Sequence, residues 1–93
     1  MIANLKIDSE RLWSMLTETA TFGGTPKGGV RRLTLTAEDK LVRDWFRTEM
    51  TALGCTVTVD EVGNLFARRP GKNPKLPPIA MGSHLDKIGR AHV

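Results

Sequence analysis

Ile79-Ala80-Met81-Gly82-Ser83-His84-Leu85-Asp86 carries the strongest fold signal in this chain. Its first three residues are continuously apolar, the pattern of a strand buried on both faces, as strands are in α/β proteins. Gly82-Ser83 ends the run, so His84 falls at the strand's carboxyl end, where ligand sites in open α/β sheets lie. His84 and Asp86 stand at i and i+2. An imidazole that binds Zn²⁺ or a similar ion through one nitrogen is usually oriented through the other by a carboxylate or carbonyl, so this spacing is chemically sensible for a metal site. One imidazole and one carboxylate cannot fill a coordination shell of four or more, so further ligands have to come from elsewhere.

Upstream of this stretch lies a proline-rich connector, Pro70-Gly71-Lys72-Asn73-Pro74-Lys75-Leu76-Pro77-Pro78. Before it, Cys55-Thr56-Val57-Thr58-Val59 alternates and is rich in β-branched residues, and Leu65-Phe66-Ala67-Arg68-Arg69 follows a turn at Gly63-Asn64; together they read as an antiparallel hairpin. Thr36 followed by Ala37-Glu38-Asp39 caps a helix with acids in its positive first turn, and Gly54 ends it. Leu41, Val42, Trp45, Phe46, Met50 and Leu53 recur at spacings of three and four, which predicts one buried face. An earlier helix starts at Asp8 or Ser9 and runs to about Ala20, with Leu12, Trp13, Met15 and Leu16 as its apolar stripe. Helical spacing assigns Trp13, Trp45 and Phe46 to the core. Residues 22–30 hold four glycines and a proline and read as a loop. Gly23 and Gly28 match the glycine separation of a phosphate-binding loop, but Gly29 and Val30 stand where that motif needs Lys and Ser/Thr, and the loop follows a helix.

With 93 residues, 40% of them hydrophobic and 26% charged, the chain has the composition of a soluble globular piece of one domain at most. A chain of this length buries only about 60–65% of the surface exposed by its unfolded form, so its core is expected to be small. No apolar run approaches the length of a membrane span or a secretory signal, and the expected compartment is the cytoplasm. The single Cys55 excludes an intrachain disulfide and reads as an inert small apolar residue. A net charge of +4 invites a nucleic-acid reading. The basic residues, Arg31-Arg32, Arg68-Arg69 and Lys72 with Lys75, nevertheless lie in separate elements without interleaved aromatics, so neither nucleic acid nor membrane is expected as a partner.

Gly28-Gly29-Val30 with Arg32-Leu33, then Gly63-Asn64-Leu65-Phe66-Ala67-Arg68, then Gly82-Ser83-His84-Leu85-Asp86 resemble, in that order, the M20-type metal-dependent amidohydrolases. The similarity is to the branch of N-carbamoyl-L-amino-acid hydrolase, β-ureidopropionase and allantoate amidohydrolase, and covers roughly residues 10–86. The resemblance implies an α/β fold: the amino-terminal part of a two-metal hydrolase catalytic domain, comprising two helices, a β-hairpin and then a buried strand, with an incomplete sheet. It implies two divalent ions per active site in the complete enzyme, Zn, Mn, Co or Ni, a small ureido or amide substrate, and a homodimer built through a separate domain. It makes His84 a metal ligand and Asp86 the catalytic-site residue that holds the imidazole. The family's bridging aspartate, its Glu-Glu pair and its later histidine have no matching position in this chain.

The family pattern stops at Asp86. Lys87-Ile88-Gly89-Arg90-Ala91-His92-Val93 equals the translation of AG ATC GGA AGA GCA CAC GTC, the start of a common sequencing adapter, once a first nucleotide completes the lysine codon. The expected organisation is therefore an amino-terminal catalytic-domain fragment over residues 1–86 and a non-native tail over residues 87–93, with His92 no ligand. Without Lys87 and Arg90 the 14 basic residues become 12 against 10 acidic, a net charge of +2. The expected function is that of an inactive fragment of a hydrolase acting on linear C–N bonds of N-carbamoyl amino acids or related ureido compounds. The alternatives are a small basic nucleic-acid-binding domain, or a non-functional truncated product with an open sheet edge.

Overall fold

The computed structural model of the chain describes residues 6–89. Helix α1 is Ser9–Thr19, and Asp8 caps it by accepting from the Arg11 amide at 3.0 Å. The chain turns through residues 20–29 into strand β1, Val30–Arg32. Helix α2, Ala37–Ala52, follows, then strands β2, Thr56–Val59, and β3, Leu65–Arg68, and last β4, Lys87–Gly89. The result is a small α/β piece with two separate two-stranded antiparallel sheets, β1 with β4 and β2 with β3.

Both ends of α2 are set by local chemistry. The Thr36 hydroxyl accepts from the Asp39 amide at 3.3 Å, while the Asp39 carboxylate accepts from the Leu35 amide at 3.1 Å, steadying a leucine whose φ is +69°. At the other end Gly54 takes φ +84°; its amide bonds the Thr51 carbonyl, and the Cys55 amide bonds the Met50 carbonyl, both at 3.0 Å. This is the paired 5→2 and 6→1 arrangement of a glycine-terminated helix. The hairpin is held by Asp60, whose carboxylate accepts from the Val62 amide and from both the amide and the side chain of Asn64. These bonds, the Asn64 side chain foremost, keep the Asp60 carboxyl below the usual carboxylate range. Arg43 on α2 donates to the Gly63 carbonyl at 2.8 Å and so ties the helix to the hairpin turn.

The core is small, as the chain length implies. Val42 is fully buried and Val30 nearly so, and they are accompanied by two buried charged residues, Arg32 and Asp39. Trp45, Phe46 and Met50 are half-buried on α2, whereas Leu41 and Leu53, assigned to the same buried face, are exposed. Trp13, read as a core residue, is 68% exposed, and Leu12 and Leu16 beside it are also open. Period alone assigns a face; burial needs a partner element, and α1 meets α2 mainly through the Trp45 indole N–H donating to the Glu18 carboxylate at 2.7 Å.

The decisive sequence stretch departs most from expectation. Residues 79–81 form no strand, and Ile79 and Met81 are 95% and 93% exposed. A strand buried on both faces needs neighbours on both edges and layers above and below it. Among the described residues nothing pairs with residues 79–81, since the hairpin strands pair only with each other and offer no strand on either side of this segment. Pairing resumes only at β4, in the register Val30↔Gly89, Arg31↔Ile88, Arg32↔Lys87. These three residues belong to the segment read as a non-native tail. An antiparallel ladder is made of backbone groups, so the pairing is indifferent to the origin of the residues. Residues 90–93, including His92, lie outside the described residues.

Candidate functional site

The three residues that carry His84 and Asp86 are placed by two contacts. One is internal: His84 Nδ1 lies 2.8 Å from the Asp86 carbonyl oxygen and 3.4 Å from its carboxylate Oδ1. The other comes from β1, where Arg32 Nε donates to the Leu85 carbonyl at 2.8 Å. Both side chains of the pair face solvent, His84 at 76% and Asp86 at 55%.

The carbonyl contact fixes the chemistry of the ring. A carbonyl oxygen only accepts, so Nδ1 of the neutral imidazole carries the proton and donates. Nε2 is then left with its lone pair, directed away from this contact, which is the form a metal-ligating histidine takes. The carboxylate of Asp86 lies farther off than its own carbonyl, so the backbone holds the ring and the carboxylate adds negative charge beside it. Among the described residues no group of three or more His, Cys, Asp and Glu side chains converges on one point. His84 thus fits as one arm of a metal site, and the described residues do not complete that site. Cys55, half-buried at the start of the hairpin, takes no part in it.

Arg32 is the residue that sequence reading missed. The pair Arg31-Arg32 reads as a possible phosphate contact, but only Arg31 is exposed. Arg32 shares a strand face with Val30 and is buried beside it, and its guanidinium bonds three carbonyls: Leu85, Thr19 at 2.7 Å and Phe22 at 2.9 Å. Burial lowers its pKa and the nearby Asp39 opposes that shift. The signal was the period of two along Val30-Arg31-Arg32, which puts residues 30 and 32 on one side. Gly23 completes this corner. Its φ is +91°, the Arg31 amide bonds its carbonyl at 2.8 Å, and a Cβ there would lie 2.4 Å from the Arg31 oxygen.

No protein-family model matches the chain. It is 42% identical over 82 residues to an N-carbamoyl-L-amino acid amidohydrolase of Geobacillus stearothermophilus, a match covering 88% of this chain and 20% of that protein. It is 34% identical over 88 residues to a ureidoglycolate hydrolase of Arabidopsis thaliana, covering 95% of this chain and 18% of that protein. A solved hydantoinase/carbamoylase family amidase from Burkholderia ambifaria superposes with a TM-score of 0.85 at 52% identity, over 88% of this chain and 20% of that one. The chain is homologous to the carbamoylase-type amidohydrolases. It spans about one fifth of the length of these relatives. The resemblance carried by residues 28–33, 63–68 and 82–86 is thus matched at the level of whole-chain similarity. The exposed residues 79–81 and the open stripe of α1 belong to a piece that, in carbamoylase-type proteins, has four fifths of a chain around it.

Proposed function

We propose that this chain is a part of an amidohydrolase that cleaves a linear C–N bond of an N-carbamoyl amino acid or related ureido compound, and that the 93-residue chain has no activity by itself. The observation that carries the reading is the match in both fold and sequence to the Burkholderia amidase, TM-score 0.85 at 52% identity, over nearly the whole of this chain. Within the complete enzyme His84 would bind one of two divalent ions, Zn, Mn, Co or Ni, through Nε2, while its Nδ1–H donates to the Asp86 carbonyl and the Asp86 carboxylate adds negative charge beside the ring. Such ions, when bound, polarise the substrate carbonyl and lower the pKa of water. The remaining ligands and the general base lie in sequence beyond Asp86, the complete protein is a homodimer, and it works in the cytoplasm.

The test compares two purified proteins for hydrolysis of an N-carbamoyl-L-amino acid in the presence of Mn²⁺ or Zn²⁺: this chain, and the product of its uninterrupted locus read from unprocessed genomic DNA. The expected result is turnover by the longer product alone. Turnover by the 93-residue chain, or a genomic stop codon directly after Val93, overturns the proposal.

A further inference from the structure

We propose that Arg32 is a positioning residue for His84: its buried guanidinium grips the peptide between the imidazole and its acceptor, and thereby holds the ring in the form whose Nε2 is free to bind a metal. The inference rests on the reading of His84 as a ligand and extends it to a residue in a different element.

Three observations converge. First, Arg32 is buried, and the carboxylate nearest in effect, Asp39, influences it by charge without a direct ion-pair contact among the described residues. Its hydrogen bonds go to the carbonyls of Thr19, the last residue of α1, of Phe22 in the turn that follows, and of Leu85. A buried cation satisfied by carbonyls acts on backbone placement, because each carbonyl it holds fixes the plane of a peptide. Second, the held carbonyl belongs to Leu85, the residue inside the ring closed by His84 Nδ1 and the Asp86 oxygen. Turning that peptide moves the Asp86 carbonyl away from Nδ1. Third, residues 77–84 have no regular structure, and among the described residues the Arg32 bond is the side-chain tether that reaches residues 77–86 from another element. Free neutral imidazole prefers the proton on Nε2, the wrong nitrogen for this geometry, so the Nδ1–H form has to be imposed by what surrounds it.

The experiment is the ¹⁵N spectrum of the imidazole nitrogens in this chain at a pH where the rings are neutral, with H84A identifying the His84 signals. Wild type is expected to show a majority of the Nδ1–H tautomer. R32Q, with the amide shifts of α2 and the hairpin unchanged, is expected to revert to a majority of Nε2–H, and R32K to fall between, since an ammonium keeps the charge without the planar fork. A wild-type ring that is mainly Nε2–H, or an R32Q ring with the wild-type ratio, overturns the proposal. Should R32Q not fold, the wild-type chain still decides. The Arg32 Nε–H should exchange with water at least ~10-fold more slowly than that of the exposed Arg31, as a formed hydrogen bond requires, and equal rates overturn the proposal. The metal reading fails separately: if H84A leaves the uninterrupted product fully active while the tautomer still depends on Arg32, His84 is no ligand but Arg32 positions it all the same.

Discussion

The stretch from Thr36 to Arg68 and the stretch from Pro70 to Asp86 differ in how their structure is specified. In the first, each boundary is written in neighbouring residues: Thr36 and Asp39 start α2, Gly54 ends it, and Asp60 with Asn64 closes the hairpin. These bonds span two to five residues and form wherever the chain is free to turn. The second stretch has prolines and exposed apolar residues, and among the described residues it is tethered from another element by the bond from Arg32 to Leu85. Local signals build the scaffold, whereas the segment that carries His84 and Asp86 depends on neighbours distant in sequence. In carbamoylase-type relatives four fifths of the protein is available to supply them.

That contrast breaks most severely at Val42. It is fully buried on α2, so Val42→Asp places an unpaired charge in the small core at a cost of several kcal/mol, more than a core this size can offset. The cooperative urea transition followed by circular dichroism should disappear. A retained transition would mean that the first stretch does not depend on its core.

Gly23 probes the corner between α1 and β1. Gly23→Ala sets a β-carbon against the Arg31 carbonyl at a φ of +91°, and should destabilise the chain by about 1–3 kcal/mol in the same urea titration. It should also release the Arg32 side chain, whose partners Thr19 and Phe22 lie just before Gly23.

A smaller effect separates the hairpin from the rest. The Asp60 carboxyl is held below its usual range by hydrogen bonds from Asn64, so the unfolded chain binds a proton before the folded one does. The stabilisation is fully present above the ordinary carboxylate value near ~3.9, and is lost as pH falls through the lower folded value. Amide exchange protection of Thr56–Val59 and Leu65–Arg68 should therefore weaken below pH ~4, and D60A should remove that pH dependence. The smallest effect is at the site itself. His84→Ala removes an exposed ring and should leave stability within about 0.5 kcal/mol, which sets the residue's role apart from folding.

The same division explains what the sequence revealed. Both helices and the hairpin were legible from Asp8, Thr36, Gly54 and the alternation at Thr56–Val59, because caps and turns are short-range. The pairing of His84 with Asp86 was legible from spacing, although the acceptor nearer the ring proved to be the Asp86 carbonyl. Burial was the weak point. Leu12, Trp13, Ile79 and Met81 are apolar in the right pattern yet exposed, since pattern states which face could be covered and not whether a covering element is present. The converse error concerned Arg32, a charged residue that reads as surface and is buried because three carbonyls satisfy it.

The proposed role of His84 as a ligand in a larger hydrolase can be tested without recourse to the fragment. The most direct measurement is kcat/KM for an N-carbamoyl-L-amino acid with the uninterrupted product of the locus, wild type against H84A, at saturating Mn²⁺ or Zn²⁺. Since even residues that only orient a metal ligand cost 10–100-fold when changed, loss of the ligand should reduce activity by more than ~100-fold while the melting temperature stays put. An H84A enzyme working at the wild-type rate would contradict the account.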